Sequence, residues 1–145
     1  MSFTLCESEV AADFEPLPEK TMIPSQSVDW LQPLNEKLNS LLSLKENWDS
    51  YGGLPPRKQA VHGVTAIFDG FFDEETPFPE IVPTSKGNIQ LEWHLPHCEL
   101  EVEVISTVQM HLYFEDEENG ELIDTVLEAD QTVLSNCIDR LKNST

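Results

Sequence analysis

Three apolar runs in the middle of the chain carry acids and other polar groups at every second position. Asn88–His94 sets Ile89, Leu91 and Trp93 against Gln90, Glu92 and His94. Cys98–Ile105 sets Leu100, Val102 and Val104 against Glu99, Glu101 and Glu103. Val108–Glu115 sets Val108, Met110, Leu112 and Phe114 against Gln109, His111, Tyr113 and Glu115. A period of two places alternate side chains on opposite faces of a strand, so the polar set shares one face. Three chemistries suit such a face. Paired carboxylates can do acid–base work on a glycoside, carboxylates with His94 and His111 can ligate a cation, and acids alone can hold a cationic partner.

The first two chemistries are weakly specified. With 27 aspartates and glutamates in 145 residues, some carboxylates meet by chance. The run His94-x-x-His97-Cys98 has no zinc-ligand spacing, and strand alternation aims Cys98 to the apolar side. The acidic turn Glu115, Asp116, Glu117, Glu118, Asn119, Gly120 lacks the ligand pattern of a calcium-binding helix–loop–helix. There is no G-x-S-x-G, no glycine-rich phosphate loop and no cysteine in a local cationic setting. The sequence therefore assigns no catalytic residue, no metal ligand and no cofactor.

The third chemistry agrees with the whole composition. Eight lysines and arginines leave a formal net charge of −19. Such a chain repels nucleic acid and anionic membrane surfaces, and attracts a basic protein surface. Glutamate is a poor strand residue, and like charges opposite each other destabilise a sheet. Alternating glutamates thus mark a face held open to water, a guard against stacking, or a face that meets cations. The candidate partner contacts are Glu92, Glu99, Glu101, Glu103 and Tyr113, with Glu115, Asp116, Glu117 and Glu118 in and beside the turn.

The elements that position these residues are legible on either side. Leu31, Leu34, Leu38, Leu41 and Leu42 form the apolar stripe of a first helix, with Pro33 in its first turn. Ala60, Val61, Val64, Ile67, Phe68 and Phe71 form a second stripe, expected to start near Pro56. Arg57 and Lys58 open that helix with the wrong sign for its dipole. Nearby carboxylates would compensate them, or they mark a small anion or partner contact. Ile81-Val82-Pro83 reads as a short edge strand, and Glu121–Leu127 as a last edge strand. Asp130 suits the N-cap of a third helix bearing Leu134, Cys137, Ile138 and Leu141. Arg140 and Lys142 stand at its C-terminal end.

Between the first two helices lies Asn47-Trp48-Asp49-Ser50-Tyr51-Gly52-Gly53-Leu54-Pro55-Pro56. The expectation is a structural corner, with Trp48 and Tyr51 packed between helices and Asp49 and Gly52 making the reversal. A catalytic pairing of Asp49 with Tyr51 is the alternative. Residues 1–26 are acidic and proline-bearing without period, and read as an extended or disordered arm. Phe3, Leu5, Phe14, Leu17 and Ile23 could dock it.

Two stretches carry a resemblance. Leu41-x-x-Leu44-Lys45-Glu46-Asn47-Trp48-Asp49-Ser50-Tyr51-Gly52-Gly53-x-Pro55-Pro56 is followed by Val82-Pro83-Thr84-x-x-Gly87-x-Ile89-Gln90-Leu91-Glu92-Trp93. Together they resemble a family of small, acidic, largely uncharacterised bacterial proteins, over residues 38 to 118. The resemblance implies a bacterial or phage origin and a small α+β fold, and implies no activity. Residues 1–26 stand as an addition to the family's pattern.

The expected architecture is one α+β domain over residues 27–145. It has two N-terminal helices, an antiparallel meander of three to five strands, and a C-terminal helix. The helices should cover the face bearing Leu91, Trp93, Leu100, Val102, Val104, Met110, Leu112 and Phe114. Cys6, Cys98 and Cys137 are odd in number and distant, which fits a reducing compartment and a cytoplasmic chain. The expected function is a non-enzymatic module acting on a basic protein. It would be inhibitor- or antitoxin-like, in defence or anti-defence, including mimicry of nucleic acid, with homodimerisation open. The alternatives are a subunit docking through the arm or a sheet edge, and a small carboxylate/histidine metal-dependent hydrolase.

Overall fold

The strict alternation produces a sheet with one buried face. The computed structural model describes residues 30–143; the acidic arm expected over residues 1–26 lies outside them. Three helices are α1 (Leu31–Leu42), α2 (Lys58–Phe71) and α3 (Thr132–Lys142). Five strands are β1 (Glu80–Pro83), β2 (Ile89–His94), β3 (Cys98–Val104), β4 (Met110–Asp116) and β5 (Glu121–Leu127). The strands form one antiparallel meander in the order β1-β2-β3-β4-β5. The fold is α+β, and it is the meander that the alternation predicts.

The core lies on one side of that sheet. Leu91, Trp93, Leu100, Val102, Val104, Met110, Leu112 and Phe114 are all buried. They meet Leu34, Leu38 and Leu41 of α1, Ala60, Val64, Ile67 and Phe68 of α2, and Leu134, Cys137, Ile138 and Leu141 of α3. Each leucine, isoleucine, valine, phenylalanine or methionine among them contributes roughly 1.5–3 kcal/mol when fully buried. Phe68 stacks on Phe72 at 3.9 Å between centroids, with Trp30 and Phe78 tilted against Phe68. Trp93 packs near Phe72 and donates its indole N–H to the Pro77 carbonyl at 2.7 Å. Helix α2 crosses the sheet at Gly63, where an added Cβ would lie 2.5 Å from Val104 and 2.6 Å from the Ser106 carbonyl. A glycine is what lets these backbones approach.

The structure corrects several expectations. Leu31 and Leu42 are exposed, because they flank the stripe rather than join it. Helix α2 starts at Lys58, just beyond Pro56. Arg57 keeps extended backbone (φ −84°, ψ 151°), since its N–H donates to the Gly87 carbonyl at 2.9 Å. Val108 is exposed in the loop before β4 rather than on the core face. Asp130 stands one residue ahead of the N-cap, Gln131, and accepts from the Thr132 N–H at 3.0 Å and its hydroxyl at 2.7 Å.

The corner between α1 and α2 is held by its own polar groups. Asp49 accepts from the backbone N–H of Tyr51 (2.9 Å) and of Gly53 (2.8 Å), and those donors hold its carboxyl below the usual range. Asn47 accepts from the Gly52 N–H at 2.7 Å. Asn47, Ser50 and Gly52 adopt positive φ, where a side chain other than glycine is strained. Trp48 is half-buried and donates to the Leu54 carbonyl at 2.8 Å. Tyr51 does not pack between the helices; it is 91% exposed, because the reversal turns it outward. The corner is stitched to the turn before β2, where the Leu54 N–H donates to the Ser85 carbonyl at 2.9 Å. The corner and the turn before β2 are therefore neighbours in space.

Candidate functional site: the open face of the sheet

The register arranges the open face in rows across the strands. One row runs Glu80, Glu92, Glu101, Tyr113, Asp124. The next runs Val82, Gln90, Glu103, His111, Val126. The third runs His94, Glu99, Glu115, Leu122. Glu80, Glu92 and Glu101 thus stand directly opposite one another, an arrangement that costs stability unless something cationic meets it. No lysine or arginine occurs between Lys86 and Arg140, so none lies on β2, β3, β4 or β5, and β1 carries none either.

Local hydrogen bonds order the face without neutralising it. Gln90 donates to Glu92 at 2.7 Å, and the Tyr113 hydroxyl donates to Glu115 at 3.0 Å. That bond raises the Tyr113 pKa, because ionising the phenol would lose it. Imidazole Nε2 of His94 lies 3.2 Å from Glu92, and its Nδ1 lies 3.6 Å from Glu99. The Glu92 contact, more than Glu99, raises the His94 pKa. His111 lies 2.6 Å from Asp124. Glu101 has no hydrogen-bond or ion-pair partner among the described residues. Glu103 accepts from the Asn88 amide at 2.8 Å, and Arg57 donates to the other end of that amide. Asn88 is buried, so it relays the Arg57 charge to the rim of the face. Arg57 of the wrong-signed start of α2 is thus linked to a carboxylate through Asn88.

His94 is also the point where a cation could be held. Glu80, Glu92 and His94 bring ligand atoms within 4.8 Å of one another, and so do His94, Glu99 and Glu101. The donor set is oxygen-rich with one nitrogen. Cys98 takes no part, since it is buried on the opposite face. His97 sits 3.9 Å from Glu118 in the loops at one end, so His94, His97 and Cys98 do not converge.

The structure brings together Glu92, Glu99, Glu101, Glu103, Tyr113 and Glu115 from the sequence expectation. Glu117 and Glu118 lie in the β4–β5 turn beyond it. Asp116 does not belong to this face. It pairs with Cys98 and Glu121 on the helix side, where Arg140 donates to both Asp116 and Glu121. The same guanidinium lies 4.8 Å over the Phe114 ring. Its hydrogen bond holds the Asp116 carboxyl below the usual range. Lys142 makes a second such pair with Asp73 at 2.6 Å. Glu80, Asp124, Leu122 and Val126 belong to the open face and were missed. The period-two pattern of Glu121–Leu127 was the available signal for the last three.

Among the described residues no helix is long and apolar enough to cross a membrane. Comparison with family models, with curated proteins and with solved structures finds no match to the chain.

Proposed function

We propose that this chain is a non-enzymatic binding module whose open sheet face receives a basic protein, in the manner of an inhibitor or antitoxin. The observation that carries this reading is the row Glu80, Glu92, Glu101, lined up across three strands without a lysine or arginine on any strand. A cationic partner would relieve that repulsion on binding, speed encounter, and make affinity fall with salt. Spaced carboxylates on a rigid sheet also suit a groove built for a phosphate backbone, so the mimicry of nucleic acid is retained within this reading.

The test is capture from the native host lysate at low salt, with a salt gradient and mass spectrometry. Wild type should retain a basic protein that leaves at moderate salt. The double variant Glu99→Lys/Glu101→Lys should not retain it. A control of equal charge change on exposed acids elsewhere, Glu36→Lys/Glu74→Lys, should. Equal retention by both variants, or no basic protein at all, would overturn the reading.

A second reading is a metal-dependent hydrolase, favoured by the two carboxylate sets that share His94. Titration with zinc or manganese, followed by heat denaturation, separates the two. A metal-dependent rise in Tm that His94→Gln abolishes supports the metal site that the hydrolase requires, and an unchanged Tm removes that reading.

A further inference from the structure

The two edges of the sheet are built differently. Edge strand β1 is four residues long, follows Pro79 and ends in Pro83. Proline removes the N–H that an added strand would need, which is a usual way of closing an edge. Edge strand β5 has seven residues, all in unbroken register with β4, and no proline, lysine or bulge. Among the described residues no strand pairs with its outer side. Its open-face side chains are Leu122 and Val126, 58% and 57% exposed, with Asp124 between them. At its C-terminal end the edge runs into a recess lined by Val126, Leu127, Ala129 and Val133 together with Glu128 and Asp130.

Building on the function proposed above, we propose that the basic partner docks by adding an extended strand to β5. The strand's outward face would read apolar–cationic–apolar. Main-chain hydrogen bonds would supply affinity, and alternate side chains would supply the choice of partner. Across an antiparallel pair, the two apolar residues meet Leu122 and Val126, and the cation meets Asp124 at the end of the row from Glu80. Charge selects this occupant over two others. A second copy paired so that Leu122 meets Val126 would set Asp124 against Asp124 and join two chains of −19. Residues 1–29 carry Glu7, Glu9, Asp13, Glu15, Glu19 and Asp29 against Lys20 alone, again the wrong sign.

The test uses the full chain and two labelled peptides of one composition. The first is Lys-Val-Thr-Lys-Thr-Val-Lys, and the second has the same residues with its alternation scrambled. Fluorescence anisotropy at low salt should give the patterned peptide at least tenfold higher affinity. Asp124→Lys and Leu122→Lys should each weaken it about tenfold, while both fold normally because these side chains are exposed. Hydrogen exchange should slow at amides of Glu121–Leu127 and leave β1 unchanged. Equal affinity of both peptides, with no protection in β5, would overturn strand addition and leave the acidic-face reading standing. No binding of either peptide at low salt would overturn both. A dimer sealed through β5, or β5 amides exposed only on deleting residues 1–29, would assign the edge to another occupant and overturn the proposal.

Discussion

Asp116 and Glu101 are both acids on the central strands, and the molecule treats them in opposite ways. Asp116 points to the helix side and is clamped with Glu121 by Arg140. Glu101 points to the open side, opposite Glu92 on one strand, and has no ion-pair partner among the described residues. The helix side uses its cations as clamps, Arg140 between α3 and the sheet and Lys142 between α3 and the loop after α2. The open side has no lysine or arginine on its strands to use. A fold that valued stability alone would spread its cations over both faces. The difference teaches that the open face keeps its charge in spite of a stability cost.

The largest effect should come from neighbours on one strand. Leu100→Ala should cost about 2–5 kcal/mol, since it opens a cavity in a tightly packed core. Glu101→Gln, the next residue, should be neutral or stabilising by about 0.2–1 kcal/mol, since it relieves like charges across the strands. Chemical denaturation of both variants checks the pair. A destabilising Glu101→Gln would break the comparison.

Removal of the clamp should have the next largest effect. Arg140→Ala should lower Tm, by losing the bonds to Asp116 and Glu121 and the contact with Phe114. The sign with pH follows from the depressed Asp116 pKa. Its stabilisation is present above the ordinary value of 3.8 and is lost as pH falls through the lower folded value. The Tm gap between wild type and Arg140→Ala should therefore narrow in strong acid. A gap independent of pH would mean that Phe114 packing, not charge, carries the effect.

Salt and His94 give the smaller effects that sharpen the comparison. Raising ionic strength from low to moderate should raise wild-type Tm, by screening the open face. The rise should be smaller in Glu92→Gln/Glu101→Gln. For His94, a raised folded pKa means extra stability fully present below the ordinary 6.5 and lost as pH rises through the folded value. His94→Gln should flatten the stability profile across neutral pH. An unchanged profile would show that Glu92 and Glu99 do not hold the imidazolium.

The sheet was legible in the sequence because period two leaves little choice of face when one side is buried. Leu100, Val102 and Val104 against Glu99, Glu101 and Glu103 fixed both the core and the acidic surface of β3. Asp116 was misplaced for a related reason. It sits at the junction of strand and acidic turn, where composition suggests a charged loop and only the count from Phe114 reveals its side. Its partner Arg140 is 24 residues away in sequence, a pairing that no local pattern specifies. Tyr51 failed because burial of an aromatic depends on the direction in which a strained turn releases it, and Ser50, unlike Asn47, gave no warning of positive φ. Asp124 was hidden in a strand read only as an edge.

The most direct test of the acidic face is nuclear magnetic resonance mapping of the full chain during titration with a lysine-rich peptide at low salt. The account predicts shifts concentrated at Gln90, Glu92, Glu99, Glu101, Glu103 and Glu115, fading as salt is added. Shifts spread equally over the acids outside the sheet, such as Glu36, Glu46, Glu74 and Glu75, would contradict it, leaving a generally acidic protein with no site on its open face.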